Sequence, residues 1–394
     1  MKKIVVVQRY LPHYRLPFYE ALRERLSGSP YDLLMFYGYE LGPARPPTVA
    51  RRLAAFRISL RLGEMHETMV FLPGLLFRLW REKPDLLVLE DLSGLPNTLI
   101  GAIYARLRGC PYLIWGLGAI PAKTPSRVRR WLGPVIHWLY GHCAGFLCYS
   151  RHAQQVYATY GKPTYLALNA CLPAPTANEQ REVAQAIASR EIAADLQIVT
   201  MGALTSQKRI EVALRAVAGL DFAQWSLQII GDGADKTTLI ELAKSLGISD
   251  HVHFHGALYD AAAKRRILES AHVGVLPGRG GLVIQELLRY GIPVISGVAD
   301  GTELDLLSDG ANGYVTAAFL TAETLRERIK QFQKLSAAER SAMSRNALES
   351  VMLRCNVQAM ADGFVDGIVA TLSIRIQPPK NVASHVDRLS RSIP

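Results

Sequence analysis

The sequence predicts an α/β protein made of two successive doubly wound units. Three observations carry this. Short apolar runs alternate with helix-length amphipathic segments along most of the chain, the pattern of βαβ units that build parallel sheets. A length of 394 residues leaves room for two domains. Near the middle, Asn169-Ala-Cys-Leu-Pro-Ala-Pro-Thr-Ala-Asn178 interrupts the alternation with a linker composition. Apolar residues make up 49% and charged residues 20%, which excludes a disordered or fibrous chain.

The opening run Lys3–Val7 is too short for the apolar core of a signal peptide and is expected as the first strand. Four more strands are expected in the first half, at Asp32–Phe36, Leu86–Leu89, Tyr112–Trp115 and Gly145–Tyr149. Helices are expected between them at Leu16–Leu26, Leu95–Leu107, Ser126–Leu139 and Arg151–Tyr160. After the linker, strands are expected at Leu196–Met201, Ser226–Ile230, Val252–His255, Val273–Leu276 and Pro293–Ser296. The matching helices are Arg209–Gly219, Lys236–Leu246, Ala261–Ser270 and Leu282–Tyr290, with two more between Thr321 and Leu372. The tail after Ile374, with paired prolines and mixed charge, is expected to be mobile. The outcome is two Rossmann-like domains, 1–175 and 190–355, facing across a cleft. The helix over 356–373 is a candidate to pack back onto the first domain, and 375–394 is a flexible tail.

The longest uncharged apolar stretch, Met69–Phe77, is broken by Pro73 and Gly74 and falls short of the ~18 residues of a membrane span. Five cysteines without Cys-x-x-Cys spacing argue against a disulfide framework and a cysteine zinc site, and point to a reducing cytoplasm. The net charge of +11 is unevenly placed. Residues 1–180 hold 22 Lys and Arg against 11 Asp and Glu, while the remainder holds 23 of each. No acid occurs from Gly101 to Asn178. This implies an anionic partner for the first half: nucleic acid, an acidic lipid surface or a phosphorylated substrate. Nucleic acid is disfavoured, since no helix-turn-helix, RNP or zinc-finger pattern is present.

Open parallel sheets bind ligands beyond the carboxyl ends of their strands, so the strand-to-helix loops hold the candidate chemistry. Gly231-Asp-Gly233 follows an apolar strand, where glycines let the backbone approach a phosphate. Gly278-Arg279-Gly280-Gly281-Leu282 adds a cation to such a loop, with Glu286 a turn into the next helix as a candidate acceptor for ribose hydroxyls. Gly202 ends a third strand, and Lys208-Arg209 opens the helix after it. Two cations at a helix start are disfavoured by the dipole and point to a bound anion.

These residues resemble a known family. Gly202…Lys208, Gly231-Asp-Gly233, Val252-His-Phe254-His-Gly256, Gly281-Leu-Val-Ile-Gln-Glu286, Gly291-Ile-Pro293, and Glu303 before Asp309-Gly-Ala-Asn312-Gly313 follow the order and spacing of retaining glycosyltransferases of family 4, which have the GT-B fold. More loosely, Tyr14-Arg15-Leu16-Pro17-Phe18-Tyr19-Glu20 and Trp115-Gly116-Leu117-Gly118 resemble members that build bacterial surface polysaccharides, including lipopolysaccharide. The resemblance implies a nucleoside-diphosphate sugar as donor and a lipid-linked or polysaccharide acceptor. It also implies no metal or other cofactor, because protein cations neutralise the leaving diphosphate. Lys208, with Arg209 and Arg279, would serve that diphosphate. Gly202, Gly231, Gly233, Phe254, Gly280, Gly281, Leu282 and Glu286 would bind the donor, and His13 is a candidate proton-handling group.

The first domain would hold the acceptor. Arg9, Arg15, Arg127, Arg129 and Arg130 would face acceptor or membrane, with Trp131, Trp138 and Tyr140 beside them. The expected location is the cytoplasm, on the inner face of the cell membrane. Three departures stand out. The first glutamate of the family's Glu-x7-Glu motif is Gly278, the arginine of the first loop is Ala203, and the histidine of Trp-Gly-His-Gly is Leu117. They leave two rivals: a non-catalytic GT-B scaffold in a glycan assembly complex, and, more weakly, a nucleotide-sugar epimerase.

Overall fold

The computed structural model describes residues 1–42, 46–62, 65–118, 131–192, 195–222, 224–258 and 260–374. The first half folds around a seven-stranded parallel sheet, ordered β3-β2-β1-β6-β7-β8-β9. Its strands are β1 (Lys2–Pro12), β2 (Tyr31–Leu41), β3 (Ala50–Arg52), β6 (Leu86–Glu90), β7 (Tyr112–Gly116), β8 (Gly145–Cys148) and β9 (Thr164–Leu166). β4 (Phe56–Leu62) and β5 (Met65–Phe71) form a separate antiparallel hairpin. The second half holds a six-stranded parallel sheet, β12-β11-β10-β13-β14-β15. These strands are β10 (Leu196–Met201), β11 (Trp225–Ile230), β12 (Val252–Gly256), β13 (Val273–Leu276), β14 (Val294–Gly297) and β15 (Gly313–Thr316). The fold class is the expected one, with both sheets buried on two faces by helices.

Several elements differ from expectation. β1 and β2 each run to 11 residues, because their pairing continues past Val7↔Phe36 to Tyr10↔Tyr39 and Pro12↔Leu41. Polar residues in these extensions masked the strand pattern. The stretch Met69–Phe77 divides into the end of β5, a turn at Pro73-Gly74 and the start of a helix, Leu75–Glu82. A further unexpected helix, Ala177–Ile192, follows the linker. It starts with a reciprocal cap: Glu179 Oε2 accepts the Thr176 N–H at 2.7 Å and Thr176 Oγ1 accepts the Glu179 N–H at 3.3 Å. The expected helix Ser126–Leu139 falls partly outside the described residues, and a helix runs from Gly133 to His142. The tail 375–394 also lies outside them.

The last described helix, Val357–Ile374, returns to the first half. Phe364 packs against Phe18 and Trp115 at ring separations of 5.3 and 5.0 Å. Gly363 lies so close to the Leu166 carbonyl that no side chain fits there.

Helix Ala177–Ile192 is fixed to the second half by Arg190. Its guanidinium donates to the carbonyls of Leu268, Glu269, Tyr290 and Gly291 at 2.8–3.0 Å. The Arg190 carbonyl in turn faces His272 Nε2 at 3.0 Å, while His272 Nδ1 faces the Gln197 N–H at 3.0 Å. An N–H on one side and a carbonyl on the other require a neutral ring with its proton on Nε2. Burial holds the His272 pKa below its ordinary 6.5. The folded chain therefore refuses a proton that the unfolded chain accepts. This contribution to stability is complete above the ordinary value and falls as the pH drops through it, by up to about 1.4 kcal/mol per pH unit. Melting temperatures above neutrality and at about pH 5.5 check this. His272→Gln, which offers one acceptor and one donor without titrating, is expected to show a smaller acid-induced drop than wild type. An equal drop in both proteins refutes the assignment.

Candidate active site

Three loops at the carboxyl edge of the second sheet meet backbone to backbone. The Gly202 N–H donates to the Ile230 carbonyl at 2.9 Å, and the Leu204 N–H to the Asp232 carbonyl at 2.9 Å. The Arg279 N–H donates to the Gln207 carbonyl at 3.1 Å. Such close approach explains two of the glycines. A side chain at Gly231 would run into the Gly202 carbonyl, and one at Gly233 into Leu204. Gly231 also has φ +149°, a region closed to most side chains. Loop-to-loop packing therefore accounts for Gly231 and Gly233 without a ligand.

Lys208 stands where these loops meet. Its Nζ donates to the Arg279 carbonyl at 2.6 Å, and its aliphatic stem lies over Gly202. Burial lowers its pKa, the carboxylates of Asp300 and Glu303 act against that shift, and Arg279 reinforces it. Asp300 and Glu303 come from a fourth loop, after β14. Glu303 is fully buried. Its Oε2 accepts the Gly301 N–H at 3.0 Å, its Oε1 has no partner among the described residues, and burial raises its pKa. The sequence singled out Glu303 only as part of the family spacing, without a role, and did not single out Asp300. The available signal for Asp300 was the acid-glycine turn Asp300-Gly301 beyond a strand end.

The other candidates divide clearly. The Arg279 side chain is half-buried, its Nη1 3.5 Å from Gln207 Oε1. Arg209 adopts φ 52°, a left-handed conformation rare outside glycine, and its guanidinium lies 5.4 Å from the centre of the Phe319 ring. Gly280 and Gly281 precede the helix Val283–Arg289 with Leu282 as its N-cap. Gly281 has φ +57° and open space where a side chain would stand. Glu286 forms an ion pair with Lys264 at 2.5 Å. Phe254 is half-buried on the edge strand β12, against the core of the second half.

Gly278 explains a departure noted in the sequence. A Cβ there would overlap the Gln207 carbonyl and come within 2.8 Å of the Lys208 carbonyl. A glutamate cannot occupy position 278 with the loops in this arrangement.

In the first half, Arg15 is a correction. It is buried at 6% exposure, with its guanidinium over the Trp115 and Tyr149 rings and against the Ala170 carbonyl and Met360 sulfur. It serves packing, not a membrane or acceptor surface, because aromatic rings give its charge a desolvated seat. Arg9 is paired with Glu90 at 3.1 Å. His13 is exposed, its Nδ1 3.1 Å from the Leu41 carbonyl and its ring against Gly42. Both contacts lie in the first half. Arg127, Arg129 and Arg130 lie outside the described residues. Of their expected aromatic companions, Trp131 is exposed, whereas Tyr140 is buried and donates to Asp91.

The two halves touch beside the Lys208 loops. Ser150 caps the helix Arg151–Ala158, and the Arg151 N–H donates to Asp305 Oδ2 at 2.8 Å. His152 packs on Gly301. Gln285 accepts the Cys171 N–H at 3.1 Å and donates to the Asn169 carbonyl. Among the described residues no cluster of His, Cys, Asp and Glu is arranged to hold a metal, and no helix is long and apolar enough to cross a membrane.

Residues 185–350 match the family model described as glycosyl transferases group 1. The chain is 32% identical over 139 residues to the lipopolysaccharide core biosynthesis glycosyltransferase LpsE of Rhizobium meliloti, covering 34% of this chain and 38% of that one. It is 28% identical over 123 residues to an uncharacterized glycosyltransferase of Haemophilus influenzae, covering 30% and 34%. The chain thus spans little more than a third of the length of these curated relatives. The crystal structure of Anabaena Alr3699/HepE in complex with UDP aligns over 94% of this chain and 100% of its own, with a TM-score of 0.69 at 14% identity. The two-sheet architecture is the GT-B fold.

Proposed function

We propose that the chain is a retaining glycosyltransferase that moves a sugar from a nucleoside-diphosphate donor to a lipid-linked or polysaccharide precursor of the bacterial cell surface. The observation that carries this is the convergence of four strand-end loops on the partly desolvated ammonium of Lys208. The developing charge in this chemistry is the departing diphosphate. Preorganised cations in a water-poor site stabilise such charge far better than solvent does. Lys208, Arg279 and Arg209 supply those cations, so no metal is required. Gly281 leaves an open approach to the phosphates between Gly280 and the helix start at Leu282, with Gly202 at the floor, and Glu286 holds the ribose. The first half presents the acceptor at the inner face of the membrane, where His13 is a candidate proton carrier and Arg9, Arg127, Arg129 and Arg130 are candidate contacts.

The relatives support this reading: one is named for lipopolysaccharide core synthesis, and a structure of the same fold holds UDP. Calorimetric titration with UDP, GDP and ADP tests the donor site. At least one is expected to bind at submillimolar concentration, and silence from all three at millimolar concentration refutes the reading. Glu286→Ala is expected to weaken the binding by about 1.5–3 kcal/mol, the worth of a hydrogen bond to a charged group. A second reading, a non-catalytic scaffold, is favoured by Gly278, which leaves no carboxylate for the sugar hydroxyls at that position. It predicts nucleotide binding without transfer or hydrolysis of any nucleotide sugar in a panel.

A further inference from the structure

One face of the first sheet is covered by the helices Leu75–Glu82, Leu95–Arg108 and Gly133–His142, whose inner sides fill a common core. Their outer sides carry the densest run of exposed large apolar side chains among the described residues. Leu76, Phe77 and Trp80 are exposed on the first helix, and Ile103 and Leu107 on the second. Phe77 and Leu107 are 67% and 70% exposed, and Trp131, just before the third helix, is 80% exposed. Exposed large apolar residues in the second half are scattered singly. The first two helices lie side by side: Trp80 meets Tyr104 edge-on at 5.6 Å, and the Arg108 guanidinium sits 5.2 Å over the Trp80 ring. Clustered exposed apolar side chains mark an interaction surface.

The charges on this face identify the occupant. Arg78, Arg81, Arg106 and Arg108 stand among the apolar residues, and none makes a salt bridge among the described residues. The one acid of the two helices, Glu82, is drawn off by Lys3 at 2.8 Å and Arg51 at 2.9 Å. We propose that this two-helix face docks on an anionic phospholipid surface, with Phe77, Trp80 and Leu107 entering the headgroup boundary and the four arginines meeting lipid phosphates. Apolar and aromatic side chains interleaved with unpaired bases match such an interface. A second copy does not fit, because a symmetric contact through this face would set arginines against arginines. The surface differs from the segment around Arg127 that the sequence pointed to. It rests on the membrane-associated reading for its biological setting but not on catalysis.

The test sediments the full chain with vesicles of phosphatidylcholine alone and of phosphatidylcholine with phosphatidylglycerol. Binding to the anionic vesicles only, released by added salt, is expected. Replacing Arg81, Arg106 and Arg108 together by serine is expected to lower partitioning about a hundredfold. Phe77→Ser with Leu107→Ser, folded by circular dichroism, is expected to lower it about tenfold or more. Unchanged partitioning of both variants overturns the proposal. So does a concentration-dependent dimer, seen by light scattering, that the same substitutions abolish. Titration of the variants with UDP, GDP and ADP separates the two readings: vesicle binding without binding of any of the three leaves the docking surface standing and removes the transferase.

Discussion

Lys208→Ala is expected to lower sugar transfer by on the order of 10²–10³-fold while leaving the fold intact. The ammonium is the cation most committed to the strand-end loops: partly buried, 2.6 Å from the Arg279 carbonyl, and faced by Asp300 and Glu303. On the proposed function it would act on charge that grows as a diphosphate leaves, so the loss is expected mainly in kcat, with a smaller change in KM. Arg279 is the companion case. Among the described residues its side chain has a single polar contact, with Gln207 at 3.5 Å, so it is available to a phosphate. Arg279→Ala is expected to cost on the order of 10²-fold, and Arg279→Lys a substantial share of that, since an ammonium cannot copy a bidentate guanidinium contact. Ala203 is exposed beside Gly202, where an arginine fits without repacking. Rescue of Arg279→Ala by Ala203→Arg would show that the two positions serve one phosphate site. Wild-type rates in Lys208→Ala and Arg279→Ala, with both proteins folded, refute the assignment.

Restoring the missing glutamate is expected to damage the protein instead of improving it. At position 278 the loop after β13 presses against the Gln207 and Lys208 carbonyls, backbone atoms that cannot swing aside as a flexible side chain does. Gly278→Ala alone is expected to destabilise by about 2–3 kcal/mol, in the range of overpacked cores. Gly278→Glu is expected to add the displacement of Lys208 and to weaken nucleotide binding. Chemical denaturation gives the first effect and calorimetry the second. A Gly278→Glu protein as stable as wild type would mean that the two loops separate readily.

The sheets were legible because their strands are buried on both faces and spell continuous apolar runs, as in Leu86–Leu89 and Val273–Leu276. The hairpin β4–β5 was not, because Arg57, Arg61, Glu67 and His66 break up its strands. Helix Ala177–Ile192 did carry a readable signal, the Thr-x-x-Glu cap at Thr176 and Glu179, but its start overlaps the proline-rich linker. The glycine-rich segments do lie at strand ends, where the residue types put them. Residue types did not distinguish Gly231, excluded from bearing a side chain by the Gly202 carbonyl, from Gly281, which faces open space. That difference depends on distances between segments about 30 to 80 residues apart, which no local pattern records. Arg15 misled for the same reason: its buried seat is assembled from the rings of Trp115 and Tyr149 and the sulfur of the distant Met360.

The returning helix Val357–Ile374 has a mechanical consequence. The backbone passes between the halves twice, once through Asn169–Thr176 and once near Arg354–Asn356, and the Val357 N–H donates to the Leu172 carbonyl at 3.0 Å where the two passages meet. Two adjacent crossings tied to each other act as a hinge pin. That geometry would restrain sliding and twisting of one half past the other more than rotation about the line through the two crossings. Any closure over a donor would then repeat along one path, with the contact between Asp305 and the Arg151 N–H at the edge that parts.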